Sequence, residues 1–299
     1  MTEARGPIVQ FCFDRVIPVG TILLVIIALW YVFSVVLNAP FERDQAARAG
    51  TTIATSQLLH NTMWQERPVL PAPHQVAEEI RKTVFDLRPT SKRSLVYHGA
   101  VTLSSTLLGF VLGTLLGILL AVAIVHSRTL DKSLMPWIIT SQTVPILAIA
   151  PMIIVVLNAV NITGLLPKAI ISTYLSFFPV AVGMVKGLRS PEIMHLDLMR
   201  TYNASRSQIF WKLRWPASMP YLFTSMKIAV AISLVGAIVG ELPTGAVAGI
   251  GARLLAGSYY GQTVQIWAAL IAAALMAAVL VSLIGIVGSL VNRRMGVRS

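Results

Sequence analysis

SPEIMHLDLMRTYNASRSQIFWKLRWPASMP, residues 190–220, lies between two strongly apolar segments. Pro191 suits the first turn of a helix with Ser190 as its cap, and the pattern predicts a helix to about Tyr202. Asn203 stands where a left-handed turn residue belongs. Ser205 and Gln208 have capping-box spacing, so a second short helix is expected to start there. It is expected to stop at Pro216, whose ring clashes with the preceding turn. The stretch should thus fold as two short amphipathic helices joined by a tight turn, carrying Arg200, Arg206, Lys212 and Arg214. Two readings fit: a plain basic loop on the positive side of a membrane, or an element that docks into a soluble partner. Capped helices favour the second.

The surrounding chain says which solvent applies. Its 299 residues are 56% apolar and 12% charged, with a mean hydropathy of +0.74; a soluble domain carries about 25% charge. The expected class is all-α: a polytopic membrane protein of about six transmembrane helices with a helical loop at residues 190–220. The net charge of +12 does not call for nucleic acid, because basic loops on one membrane face supply it. The lone Cys12 excludes an internal disulfide and a cysteine metal cluster.

In order, residues 1–15 form a polar N-terminus and residues 16–37 a charge-free first span, about 33 Å long as a helix. Residues 38–99 are the longest polar region. In it Val69 to Pro73 is stiff and extended, and Gln75 to Leu87 reads as an amphipathic helix on the membrane surface, with Val76, Ile80, Val84 and Leu87 on one face. Residues 100–290 hold five further spans, from Val101, Leu134, Lys168, Tyr221 and Thr263. Gly109, Gly113 and Gly117 line one face of the second span and predict close helix packing. The third span is broken by Pro136, Pro145 and Pro151 around the polar run Thr140-Ser141-Gln142-Thr143. Irregular backbone at membrane depth is tolerated where it lines a cavity, so these four residues, with Glu241, are candidates for pathway lining; a kinked, packed span fits Thr140 to Thr143 equally. Lys227, taken as one or two turns into its span, is expected to snorkel to headgroups. Residues 291–299 are a basic tail.

Six spans place both termini on one side. That side gathers thirteen basic residues, against two (Lys168 and Arg253) in the short opposite loops. The termini and the 190–220 loop are therefore expected in the cytoplasm. Residues 38–99 carry eight basic residues on the outer side, in a segment near the length at which the rule lapses.

The twelve carboxylates all lie outside the spans, Glu241 at a span end. Ion-coupled carriers place ionisable groups at mid-membrane, so the chain is not expected to harvest an ion gradient. It has no phosphate-loop motif and no His-Glu-x-x-His zinc motif. A multispan chain without an energy source, bearing a structured cytoplasmic loop, needs a partner that supplies energy.

The 190–220 stretch resembles the coupling loop of permease subunits of binding-protein-dependent ABC importers. That motif is Glu-Ala-Ala, three residues, Gly, nine residues, Ile-x-Leu-Pro. Here Asp197-Leu198-Met199, three residues, Asn203, nine residues and Leu213-Arg214-Trp215-Pro216 keep the spacing. Asp replaces Glu, Leu-Met replaces Ala-Ala, Asn replaces Gly and Trp replaces Leu. Gly240, Glu241, Gly249 and Gly251 resemble a second family pattern, and the likeness runs from about Pro71 to Gly288. The overall pattern is similar to the branch importing nitrate, sulfonates, taurine or pyrimidine precursors. The resemblance implies a second permease chain, identical or paralogous, two ABC ATPase subunits, an extracytoplasmic solute-binding protein, and a bacterial inner membrane. It implies no cofactor and no catalysis in this chain. It makes Asp197, Asn203, Ala204, Ser205, Arg206, Ser207 and Pro216 the ATPase-coupling residues, with Ile209, Phe210 and Trp215 as anchors. The alternatives are a self-contained channel or facilitator, and a membrane-embedded enzyme or scaffold.

Overall fold

The computed structural model describes residues 17–243 and 246–296; the N-terminal segment with Cys12, Thr244, Gly245 and Arg298 lie outside the described residues. The described chain is all-α, with no strand among those residues. Among the described residues five helices are long and apolar enough to cross a membrane, or six if a pair bent at a short break is counted as one span.

The chain divides into two units. The first comprises the described residues up to Leu87 and Ala256–Ala268. Its helix α1 (Ile17–Arg48) extends eleven residues past the expected end of the first span. The apolar half is bare, with Ile22 60% and Leu24 69% exposed, while the polar half does the packing. Asn38 is the pin. Its Oδ1 accepts from the backbone N–H of Val69 (2.8 Å) and Leu70 (3.3 Å), and its Nδ2 donates to Leu70 C=O at 2.9 Å. Ser34 donates to the same carbonyl, and Trp30 Nε1 to Pro71 C=O. The extended segment before Pro73 has no ladder partner, so these side chains satisfy its backbone. Helix α2 (Thr55–Trp64) and helix α3 (Pro73–Arg81) follow, α3 ending in a π turn at Lys82–Asp86. The amphipathic face is as read: Val76 is buried and Ile80, Val84 and Leu87 are half-buried, while Phe85, off that face, stands 79% exposed. Lys82 donates to Glu78 at 2.8 Å, and that bond holds the Glu78 carboxyl below its usual range.

The second unit, Arg88–Leu255 and the described residues from Ala269 onward, is built on three helices: α4 (Leu95–His126), α7 (Leu165–Leu188) and α10 (Trp215–Glu241). A Cβ at Gly109 or Gly113 would collide with Ser172 or Ser176, and one at Gly117 would come within 2.8 Å of Phe177 C=O. The predicted close packing is thus of α4 on α7. Hydroxyls then bond across the seams: Ser172 to Ser233 C=O (2.9 Å), Ser233 to Thr106 C=O (2.8 Å), Ser176 to Gly109 C=O (3.2 Å). Small residues bring the backbones close enough for these bonds, which is how helices associate where lipid gives no hydrophobic drive.

Between α4 and α7 lie α5 (Arg128–Ser141) and α6 (Ile146–Ala159), bent by 99°. Two expectations are corrected here. The third span, expected from Leu134, is helical from Arg128 onward, capped by Ser127. Of the three prolines only Pro145 marks the break. Pro136 and Pro151 sit inside helices, while the hydroxyls of Ser141 and Thr143 bond back to Ile138 and Thr140 carbonyls and close the turn before Pro145. The later elements are α8 (Ile193–Thr201), α9 (Arg206–Ile209), α11 (Ile250–Tyr259) and α12 (Thr263–Arg294).

Candidate functional site

The 190–220 stretch forms two short helices about a tight turn, with differences at both ends. Helix α8 starts at Ile193 with Glu192 as its cap residue, because the Ser190 hydroxyl is spent on Gly187 C=O, at 2.7 Å, closing α7. Its C-terminus is a Schellman closure: Asn203 N–H bonds Arg200 C=O (2.8 Å) and Ala204 N–H bonds Met199 C=O (3.0 Å). Asn203 has φ +52°, a left-handed conformation that asparagine tolerates through its short polar side chain. The capping box is present as read: Ser205 Oγ accepts from Gln208 N–H at 3.3 Å, and Gln208 Oε1 accepts from Ser205 N–H at 2.8 Å.

Pro216 does not stop the second helix. The chain runs helically from Arg206 to Glu241, passing through a π turn at Phe210–Arg214 in which Trp215 N–H bonds Phe210 C=O. The wider turn shifts the hydrogen-bond register just before proline, whose missing N–H then falls in the first turn of α10, where it is tolerated. The second short helix is therefore a rigid extension of the fifth span.

Side chains divide the loop sharply. Phe210 is buried, its ring 5.1 Å from His126 and 5.9 Å from Trp215; Ile209 and Trp215 are half-buried. At the loop's root Arg189 pairs with Asp131 at 2.8 Å. By contrast α8 buries no residue against its own chain. Ile193 (76% exposed), Met194, Leu198 and Tyr202 (79%) stand out from it. Asp197, paired with Arg200 at 3.1 Å, and Asn203, Ser205, Arg206 and Ser207 are exposed on the same tip, with Ala204 half-buried.

The polar run falls at the α5–α6 bend. Thr140 and Thr143 are exposed, and Ser141 and Gln142 are half-buried. The Tyr174 hydroxyl donates to Ser141 C=O and fixes the bend to α7.

Glu241 is elsewhere, and closed off. The side chain is wholly buried. Its carboxylate accepts from Thr102 Oγ1 (2.9 Å) and Gly251 N–H (2.9 Å) and lies 3.6 Å from Lys168 Nζ. Thr102 Oγ1 also accepts from Ile250 N–H, and Lys168 donates to Ala248 C=O. His98 adds a further tie: Nδ1 accepts from Gly249 N–H and Nε2 donates to Lys92 C=O, both at 3.0 Å. Gly249 has φ +127°, and a Cβ there would strike the Glu241 carboxylate, as one on Gly251 would strike Ile238 C=O. The two glycines let the loop's backbone close over a buried charge. Lys168 was open to inference, as the only charged residue between Lys132 and Lys186 and, with Arg253, one of two cations assigned to the loops on the side of Glu241. Thr102 and His98 carry no spacing signal.

Residues 113–297 match the family described as "Binding-protein-dependent transport system inner membrane component". The chain belongs to this family. It is 33% identical over 225 residues to the riboflavin transport system permease protein RibX of Chloroflexus aurantiacus, covering 75% of this chain and 80% of that one. It is 31% identical over 183 residues to a probable ABC transporter permease protein of Haemophilus influenzae, covering 60% and 71%. Permeases named for formylaminopyrimidine, nitrate, taurine and aliphatic sulfonates are also relatives. The fold is similar to that of a chain of the MetNI methionine ABC transporter, with TM-score 0.54 at 22% identity over 70% of this chain and 99% of that one. The chain is thus a multi-pass permease subunit of the ABC importer family.

Proposed function

We propose that this permease works as one of two chains, identical or paralogous, that enclose a solute pathway in a bacterial inner membrane. Each chain seats its 190–220 loop in a separate ATPase subunit, and an extracytoplasmic binding protein delivers solute to the opposite face. Both termini and the loop are cytoplasmic, and residues 38–99 are extracytoplasmic. Residues 100–290 are the transporting core, with Thr140 to Thr143 toward the pathway; the buried Glu241 is a brace for the outer loop.

The observation that carries this reading is α8: a helix closed by a Schellman turn, with no residue buried against its own chain and large apolar side chains exposed. A surface helix normally buries an apolar face, so its face is completed by a partner. Because α9 is continuous with α10, a push on Asn203 to Ser207 moves the fifth span as a lever. Closure of the ATPases on ATP rocks the loops and opens the pathway outward; hydrolysis resets it.

Uptake in cells carrying the whole system tests this. Arg206→Glu or Ala204→Asp is expected to abolish ATP-dependent uptake while the protein remains inserted at wild-type abundance. Unchanged uptake in both variants contradicts the docking role.

A further inference from the structure

The polar half of α1 holds a carboxylate without a counter-charge. Glu42 is 7% exposed, and it accepts one hydrogen bond, from Asn61 Nδ2 on α2 at 3.2 Å. Among the described residues it has no ion pair. A charge withdrawn from water is costly unless it is paired. Glu42 is not sealed, however: it lines an open cavity of about 530 Å³ where α1 meets the end of α2. Phe41 and Trp64, both more than half exposed, bring their rings to it. Glu66 and Arg67 line it too, and neither is in an ion pair among the described residues. So does Gln65, whose Oε1 is buried and receives no hydrogen bond from a described residue.

The depth of the cavity follows from α1 itself. Ile17 to Leu37 carry no charge and rise about 31 Å as a helix, the thickness of the hydrocarbon core. Glu42, five residues further on, stands about 7 Å beyond that run. This is headgroup territory, a layer about 5–8 Å deep on each face of a bilayer. The exposed rings of Phe41 and Trp64 suit the same layer, where amphipathic aromatic side chains gather. A cation that reaches Glu42 at this level can come from the lipids themselves.

We propose that this cavity binds the head of an aminophospholipid, its primary ammonium on Glu42 and Glu66 and its phosphate on Arg67. A primary ammonium has three N–H donors, and the cavity offers acceptors at Glu42, Glu66 and Gln65. The choline of phosphatidylcholine has no N–H to give them. The carboxylate that phosphatidylserine adds would face two acids, so phosphatidylethanolamine is the lipid that fits. Trp64 and Phe41 supply ring faces for the cation, and the planar fork of Arg67 suits phosphate oxygens. A basic side chain from a partner protein would answer the acids but leave Arg67 unmatched; the zwitterion answers both signs. Because Glu42 is on α1 and Arg67 follows α2, a bound head ties the two helices together at the membrane surface. This requires only that α1 crosses a membrane and is independent of the ATPase partnership.

Native mass spectrometry of the full chain, purified in mild detergent and stripped of lipid, tests this. The probes are dioleoyl phosphatidylethanolamine and dioleoyl phosphatidylcholine, with sn-glycero-3-phosphoethanolamine as the same head without acyl chains. The wild type is expected to bind one phosphatidylethanolamine about tenfold more tightly than phosphatidylcholine, the margin of a single charge-assisted hydrogen bond. Glu42→Gln is expected to erase that preference, and Arg67→Gln to weaken both lipids alike. Equal binding of the two lipids by the wild type, or a preference that survives intact in Glu42→Gln, overturns the proposal. Displacement of the lipid by an equal concentration of glycerophosphoethanolamine assigns the cavity to a soluble amine and also overturns it. Loss of uptake in Glu42→Gln without any lipid preference in the wild type gives the cavity to a partner's basic side chain instead. If Glu42→Gln fails to insert, Glu66→Gln, at an exposed position, is expected to reduce the preference, and an undiminished preference there overturns the assignment.

Discussion

Replacing Glu241 with alanine should be among the most damaging single changes in the second unit. The carboxylate is wholly buried and takes hydrogen bonds from Thr102 and Gly251, at 2.9 Å each, besides its 3.6 Å approach to Lys168. Glu241→Ala leaves the Gly251 N–H unpaired under the loop and leaves Lys168, 13% exposed, without its counter-charge. Breaking one side of a buried pair costs about 3–5 kcal/mol, and an orphaned buried donor about 1–3 kcal/mol; the terms overlap, so about 4 kcal/mol is expected. Thermal unfolding of the detergent-purified complex, followed by size exclusion after heating, reads the loss. A double-mutant cycle identifies its source. Lys168→Met with Glu241→Gln removes both charges together, so the double variant should lose less than the sum of the two singles, with coupling of about 1–3 kcal/mol. A Glu241→Ala variant within about 1 kcal/mol of wild type, or strict additivity in the cycle, refutes the brace.

Three other outcomes follow from the same geometry. Asn203→Gly should be tolerated or slightly stabilising, whereas Asn203→Val should strain the left-handed turn by about 1–2 kcal/mol and raise protease cleavage between α8 and α9. Gly113→Leu, with Ser176 in the way, should cost about 1–3 kcal/mol or more by overpacking and reduce the amount of folded, inserted protein measured by size exclusion. Asn38→Leu should release the Val69–Pro71 segment, seen as faster amide exchange there, with no effect on the α4–α7 seam.

The sequence made the turn at Asn203 and the Ser205–Gln208 box legible because each is set by a few adjacent residues with fixed roles. The glycines of α4 announced close packing for the same reason, though not against which helix. What escaped was non-local. Pro216 reads as a helix stop only if the register before it is regular, and a π turn at Phe210–Arg214 removes that premise. Ser190 looked like a cap for the helix after it because nothing in the chain says its hydroxyl belongs to the helix before it. Glu241 was placed with the lining since a carboxylate at a span end faces either water or a buried cation. Only the fold brings Thr102, Lys168 and Gly251 to it, from positions up to 139 residues away.

The most direct measurement is a site-specific crosslink. Ala204→Cys in a Cys12→Ser background, carried by the tagged chain in its native host, is treated with a short thiol-to-amine crosslinker, and the product is identified by mass spectrometry. The account predicts a covalent adduct with an ABC ATPase subunit, and loss of that subunit from Ala204→Asp preparations. A chain that purifies alone, with no ATPase joined to or accompanying it, contradicts the docking role of the 190–220 loop and turns the weight toward a self-contained channel.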